Sequence, residues 1–160
     1  MAVARVHVRA WQVAYRKLLP DDYLDGLQPE DRAARYTFGG TDPRQPMTTV
    51  AVDGQGTIRG FATTCAARDD DVPGYGELAA IHVDPDCWGR GIGVALLTSA
   101  RAHLLDSGFR RAILWVLVGN VRAERFYAKD GWAPDGMQRT DVVWGVQVND
   151  QRYRRSLTSA

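Results

Sequence analysis

Apolar side chains recur at helical spacing from the start of the chain. Val3, Val6, Ala10, Val13 and Ala14 form one stripe, and Arg5, Arg9 and Arg16 lie off it, so residues 2–18 are predicted to be a helix. Pro20, Asp21 and Asp22 open a short second segment. Pro29, followed by Glu30 and Asp31, predicts another helix to Tyr36, because proline and acids suit a first helical turn. Residues 41–46, with two prolines, read as a loop. The pattern then changes to period two or unbroken apolar. Residues 47–52 and 57–67 become strands, and the turn at residues 53–56 joins them as a hairpin. Residues 68–74, with three consecutive aspartates, are a loop, and residues 75–83 a third strand. The longest helix is predicted at residues 90–107, with Ile92, Leu96, Ala100 and Leu104 at i+4 steps and Gly108 as its C-cap. Residues 111–118 are so apolar that the strand they form is central and covered on both faces. A short helix at residues 121–129 is closed by Gly131, and residues 137–157 read as two strands around Gly145 and Asn149–Asp150.

The strand–helix–strand stretch at residues 75–118 predicts a right-handed crossover and one parallel pair. The other strands read as antiparallel. The expected class is α/β in the broad sense, an α+β mixed sheet with helices on its faces. A chain of 160 residues corresponds to one domain, residues 1–160, at roughly 150 residues per domain.

Composition narrows the function classes. Apolar residues make up 45% and charged residues 24%, the balance of a globular chain rather than a disordered one. No apolar run approaches the ~20 residues that span a bilayer, and no signal-peptide core follows the N-terminus. Net charge is +1, which gives no argument for nucleic acid or membrane as partner. Residues 1–80 carry 9 basic and 11 acidic side chains and residues 81–160 carry 11 and 8, a mild asymmetry that suits an anionic ligand in the second half and is equally met by solvated surface. Two cysteines, Cys65 and Cys87, make no disulfide framework and favour the cytoplasm. His7, His82 and His103 show no metal-ligand spacing, so no metal is expected.

The most informative stretch follows the third strand. Gly89, Gly91 and Gly93 alternate where a strand turns into a helix. Glycines let the backbone pass close to a ligand and point several N–H groups at one place. The first N–H groups of the helix are unpaired and the helix dipole favours an anion, so the turn can cradle a phosphate. A tight structural turn without ligand is the alternative. The spacing is not that of a dinucleotide fold, and no Lys-Ser or Lys-Thr follows, which excludes a P-loop.

Four motifs occur in order: Glu77 to Pro85, then Trp88 to Gly93, then Gly119, Asn120, Phe126 and Tyr127, then Gly131 and Trp132. Together they resemble the GNAT family of acetyl-CoA-dependent N-acetyltransferases over about residues 2–157. Trp88 stands where that family has Gln or Arg, and the family's opening strand has no counterpart before the first helix. The resemblance implies the acyl-CoA N-acyltransferase fold: a mostly antiparallel sheet with one splayed parallel pair, helices on both faces and the first strand missing.

The resemblance also implies roles. The backbone of Ile81 and Val83 would bond the pantetheine arm, which lies in the splay like an added strand. Trp88, Gly89, Arg90, Gly91, Ile92 and Gly93 would hold the pyrophosphate, with Arg90 otherwise a solvated side chain. Asn120 would contact the cofactor arm or simply cap its helix. Tyr127 would protonate the departing thiolate or else pack in the core, and Glu77 would act as general base, through a water, or else lie at the strand's surface end. His82 is a rival base, expected on the opposite face from Ile81 and Val83. A covalent acyl-cysteine at Cys65 or Cys87 is not expected. The acceptor would be a small-molecule amine or the amine of a peptide or protein, with Trp11, Tyr15, Tyr36 and Trp144 as candidate walls and Asp69, Asp70 and Asp71 as a solvated loop or a steering charge. An unpaired sheet edge and an apolar C-terminal hairpin favour a homodimer. A non-catalytic acyl-CoA-binding or regulatory domain is the competing reading.

Overall fold

The first helix, α1 (Ala2–Ala14), buries Val3, Ala4, Val6, His7, Val8, Ala10 and Trp11. It ends short of the predicted boundary and leaves Val13 exposed. Residues 15–19 turn instead, with the N–H groups of Leu18 and Leu19 both bonded to the Tyr15 carbonyl. Pro20 disfavours helical backbone in the residue before it, so the helix cannot run on. Two short helices follow, α2 (Asp21–Asp25) and α3 (Glu30–Ala33). The computed structural model describes residues 1–36, 38, 39, 42, 45–143 and 145–158. The expected loop at residues 41–46 therefore lies largely outside the described residues.

The strands are β1 (Met47–Val52), β2 (Ile58–Ala66), β3 (Gly76–Val83), β4 (Arg111–Leu117), β5 (Ala133–Val143) and β6 (Val146–Ser156). They form one six-stranded sheet in the order β1-β2-β3-β4-β6-β5. Among the described residues only β3 and β4 pair in parallel, joined by the crossover helix α4 (Ile92–Asp106); α5 (Val121–Lys129) connects β4 to β5. The class is the expected mixed α/β, and the first described element is a helix, not a strand. The last hairpin starts four residues earlier than predicted. Pro134 and Gly136 lie at an irregularity inside β5: Pro134 pairs with Tyr153 and the next pair is Gln138 with Gln151.

Helices cover both faces. On one face Leu96, Leu97, Ala100 and Leu104 of α4 pack on Leu78, Ala112, Leu114 and Val116, and Tyr127 and Trp132 join the same cluster. Burying each of these leucines contributes about 1.5–3 kcal/mol. The close seat of α4 depends on Gly76, where a Cβ would lie 2.7 Å from Leu104. On the other face Val3 and Val6 of α1 pack on Phe61, and Val8 and Trp11 pack with Leu24 and Val148. Among the described residues no helix is long and apolar enough to cross a membrane.

Candidate active site

One bulge and one divergence create the site. In the β2–β3 ladder Thr63 opposes Ala80 and Thr64 opposes Leu78, so Ala79 is the extra residue on β3. The bulge breaks the alternation. Leu78, Ile81 and Val83 all face α4, whereas Ala80 and His82 face α1. Glu77, paired with Cys65, falls on the α1 side too. Strict alternation from Ile81 would have put Glu77 on the α4 side. His82 lies opposite Ile81 and Val83, as the alternation beyond the bulge requires.

Strands β3 and β4 pair only at Gly76 with Ala112 and Glu77 with Ile113. Beyond that point they separate, and among the described residues no strand lies beside the β4-facing edge of β3. A cavity of about 1040 Å³ occupies the gap. Ile81, Val83, Gly89, Gly91, Asn120 and Tyr127 all line it.

The turn after β3 is held from below by Asp84, which is 4% exposed. Its carboxylate accepts the Asp86 N–H at 3.2 Å and pairs with Arg9 at 2.9 Å and Arg59 at 3.4 Å. Gly89 and Gly91 have φ of +75° and +81°. A Cβ at either would meet no atom within 4 Å, so the left-handed backbone and not crowding calls for glycine. Gly91 caps α4, which therefore begins at Ile92, the first residue of its apolar series and two residues after the predicted boundary. Gly93 lies against the Phe126 ring, and Arg90 is exposed.

Trp88 does not simply line the turn. Its indole N–H donates to the Val83 carbonyl at 2.9 Å, and the Arg122 guanidinium lies 3.3 Å from its ring centroid. The Val83 carbonyl is thus already engaged within the chain. Asn120 caps α5, its Oδ1 accepting the Ala123 N–H at 3.2 Å. The Tyr15 hydroxyl lies near it. Tyr127 is buried between Phe126 and Trp132, and burial together with the nearby Tyr15 hydroxyl pushes its pKa up. A phenol in that state keeps its proton until a stronger base forms beside it.

The α1 side of the cavity is built from side chains. Glu77 is 2% exposed, a buried carboxylate and not a surface one, and Arg68 binds both of its oxygens at 2.6 and 3.1 Å. Cys65, opposite Glu77, has its thiol pKa raised to about 11 by burial and then by that carboxylate, which keeps it a thiol. His7 and His82 stack at 4.4 Å, and the His7 Nδ1 is 2.6 Å from the Tyr36 hydroxyl. Burial lowers the pKa of both histidines, His82 to about 4. Trp11, Tyr15 and Tyr36 line this side; Trp144 lies outside the described residues. Asp70 and Asp71 are exposed, as a solvated loop would be, and Asp69 and Asp71 also pair with the buried Arg152, at 3.0 and 2.7 Å. Among the described residues no group of three or more His, Cys, Asp and Glu is placed to hold a metal.

Sequence reasoning missed Arg68 and Arg122. Nothing local marks Arg68, since its link to Glu77 depends on the hairpin register. Arg122 had a signal: a cation in the first turn of a helix, where the dipole disfavours it.

Residues 10–132 match the acetyltransferase (GNAT) family. An uncharacterized N-acetyltransferase of Bacillus subtilis is 32% identical over 121 residues, which is 74% of this chain and 66% of that protein. One of Mycobacterium bovis is 36% identical over 135 residues, 84% of this chain and 80% of that protein. In fold, the chain is similar to the PaiA N-acetyltransferase of Thermoplasma acidophilum, solved in complex with coenzyme A, with a TM-score of 0.70 at 17% identity over 97% of this chain and 91% of that one.

Proposed function

The chain belongs to the GNAT family of acetyltransferases, and on that premise we propose that it is a single-domain, acetyl-CoA-dependent N-acetyltransferase that acts on a primary amine by direct attack. The observation that carries this reading is the opening of β3 away from β4, which gives a cavity ending at the glycine turn and walled by Tyr127. An extended pantetheine arm suits the open edge of β3 near Ile81 and Val83. The N–H groups around Gly89, Arg90, Gly91, Ile92 and Gly93, with the start of α4, suit a diphosphate. Asn120 stands where the two meet the first turn of α5.

Acetyl-CoA supplies an acyl group activated as a thioester. The amine nitrogen forms a bond to the acyl carbon, the carbon–sulfur bond breaks, and sulfur leaves with the electron pair. Tyr127 gives the sulfur a proton. Glu77, on the opposite side of the cavity, takes the amine's proton through a water. Arg68 holds that carboxylate in place, and its own side chain is 67% exposed, so it can swing aside as the proton arrives. His82 is a poor base for this step, since its lowered pKa leaves little affinity for a proton. The acceptor enters from the α1 side, past Trp11, Tyr15 and Tyr36, and is a small-molecule amine or the amine of a peptide.

Calorimetric titration with acetyl-CoA, with ADP as control, tests the donor half. Micromolar binding that is mostly lost with ADP is expected. A screen of amines for release of free thiol tests the acceptor half. Absence of acetyl-CoA binding at millimolar concentration would sink the proposal. Binding without transfer to any amine would favour a regulatory domain of the same fold.

A further inference from the structure

Arg122 is the second residue of α5, and its guanidinium stacks on the Trp88 ring at 3.3 Å. Among the described residues no carboxylate pairs with it. Three arginines on the α1 side have carboxylate partners: Arg68 has Glu77, Arg139 has Asp150 and Arg152 has Asp135. The position is also unfavourable for a lone cation. The first turn of a helix carries partial positive charge, and partial burial depresses the pKa of this guanidinium. The exposed guanidinium is held by the Trp88 ring and not by a carboxylate, which leaves its N–H groups facing outward where an anion from outside the chain can meet them.

The geometry says where that anion sits. Trp88 is fixed from behind by its bond to the Val83 carbonyl, so the ring that carries Arg122 is anchored to the open strand. Trp88, Gly89, Gly91 and Arg122 line the same cavity. The turn and the guanidinium therefore open on one cavity.

We infer that Arg122 is a phosphate-binding residue for the acyl donor and that Trp88 is its positioning residue. The inference rests on the donor reading given above. Coenzyme A carries a diphosphate and a 3′-phosphate, and either offers the chemistry that Arg122 needs.

Calorimetry of the full chain separates these cases. The wild type, Arg122→Ala, Arg122→Gln and Trp88→Leu are titrated with coenzyme A, dephospho-coenzyme A and pantetheine at low and high salt. Both Arg122 variants are expected to bind coenzyme A roughly tenfold more weakly, with a shallower salt dependence and unchanged pantetheine binding. Trp88→Leu is expected to show the same selective loss. A loss repeated with dephospho-coenzyme A assigns Arg122 to the diphosphate; a loss absent there assigns it to the 3′-phosphate. Unchanged coenzyme A affinity in the Arg122 variants, or an equal loss for coenzyme A and pantetheine, would overturn the inference while leaving the donor reading in place. Unchanged affinity in Trp88→Leu alone would remove the positioning role. Failure of the wild type to bind coenzyme A would overturn the donor reading, and this inference with it.

Discussion

The two sides of the cavity are made of different material. The donor side is mostly backbone: an open strand edge, two left-handed glycines and the N-terminus of α4. All of it comes from one continuous stretch of chain. The α1 side is mostly side chains: the His7–His82 stack, the Glu77–Arg68 pair and, beneath them, Arg152 with its three aspartates. These come from α1, the loop after β2, β3 and the last hairpin. A surface made of backbone tolerates changes of side chain and fails when a glycine is lost. A surface made of paired side chains fails when either partner is lost.

That contrast can be broken most sharply at Arg152. It is 3% exposed and pairs with Asp135, itself buried, at 2.8 Å. Arg152→Ala leaves that carboxylate only the longer contact to the exposed Arg154, at 3.5 Å, and removing the main partner of a buried pair costs about 3 kcal/mol. For a chain of this length the melting temperature should fall by roughly 10 °C. Donor affinity of the protein that remains folded should not change, because no part of the turn depends on Arg152. Thermal unfolding and acetyl-CoA titration of the same preparation check both statements.

Tyr127→Phe comes next. Loss of a general acid typically lowers kcat by about 100-fold, which is about 2.7 kcal/mol. The ring and its packing on Phe126 and Trp132 remain, so acetyl-CoA affinity should stay close to that of the wild type. An unchanged kcat across a wide pH range would remove Tyr127 from the chemistry. Gly91→Ala is the corresponding test of the backbone side. A non-glycine residue at φ +81° costs about 1–2 kcal/mol. Relaxation of the turn should then weaken acetyl-CoA binding about tenfold. Arg90→Ala, one residue away but exposed, should cost no more than about threefold. Equal effects of the two substitutions would mean that charge, not backbone shape, holds the donor.

The same contrast explains what could be read from the sequence. The element order, the single parallel pair and the glycine turn were legible because each is written locally, as a period, a cap or a run of glycines. The bulge at Ala79 was not, since Ala79 is an ordinary strand residue and the bulge exists only in the register with Thr63 and Thr64. The surroundings of Glu77 were missed for that reason: the bulge turns the carboxylate to the α1 side, where Arg68 meets it. The aspartates at residues 69–71 look solvated in sequence, and the pairing of Asp69 and Asp71 with Arg152 exists only because the fold brings β6 beside their loop. Trp88 looked like a departure at a phosphate turn, and its contacts show a link between the strand and α5.

The smallest effect separates the two sides by pH. His7 and His82 stack on each other, and both have pKa values lowered first by burial; His7 also feels His82, and both feel Arg32. In the unfolded chain a histidine titrates near 6.5, whereas folded His82 titrates at about 4. As pH falls below 6.5 the unfolded chain takes up protons before the folded one, so stability is whole above that point and is lost progressively towards pH 4. The melting temperature should drop by several degrees between pH 7.5 and pH 5. His82→Phe keeps a ring on His7 without the titration, and its melting temperature should fall less over that interval. Acetyl-CoA binding by folded protein should change little over the same range, because the N–H groups of the turn do not titrate. A wild type and variant with the same pH slope would show that the histidine pair does not couple folding to protons, and the α1 side would then owe its stability to packing alone.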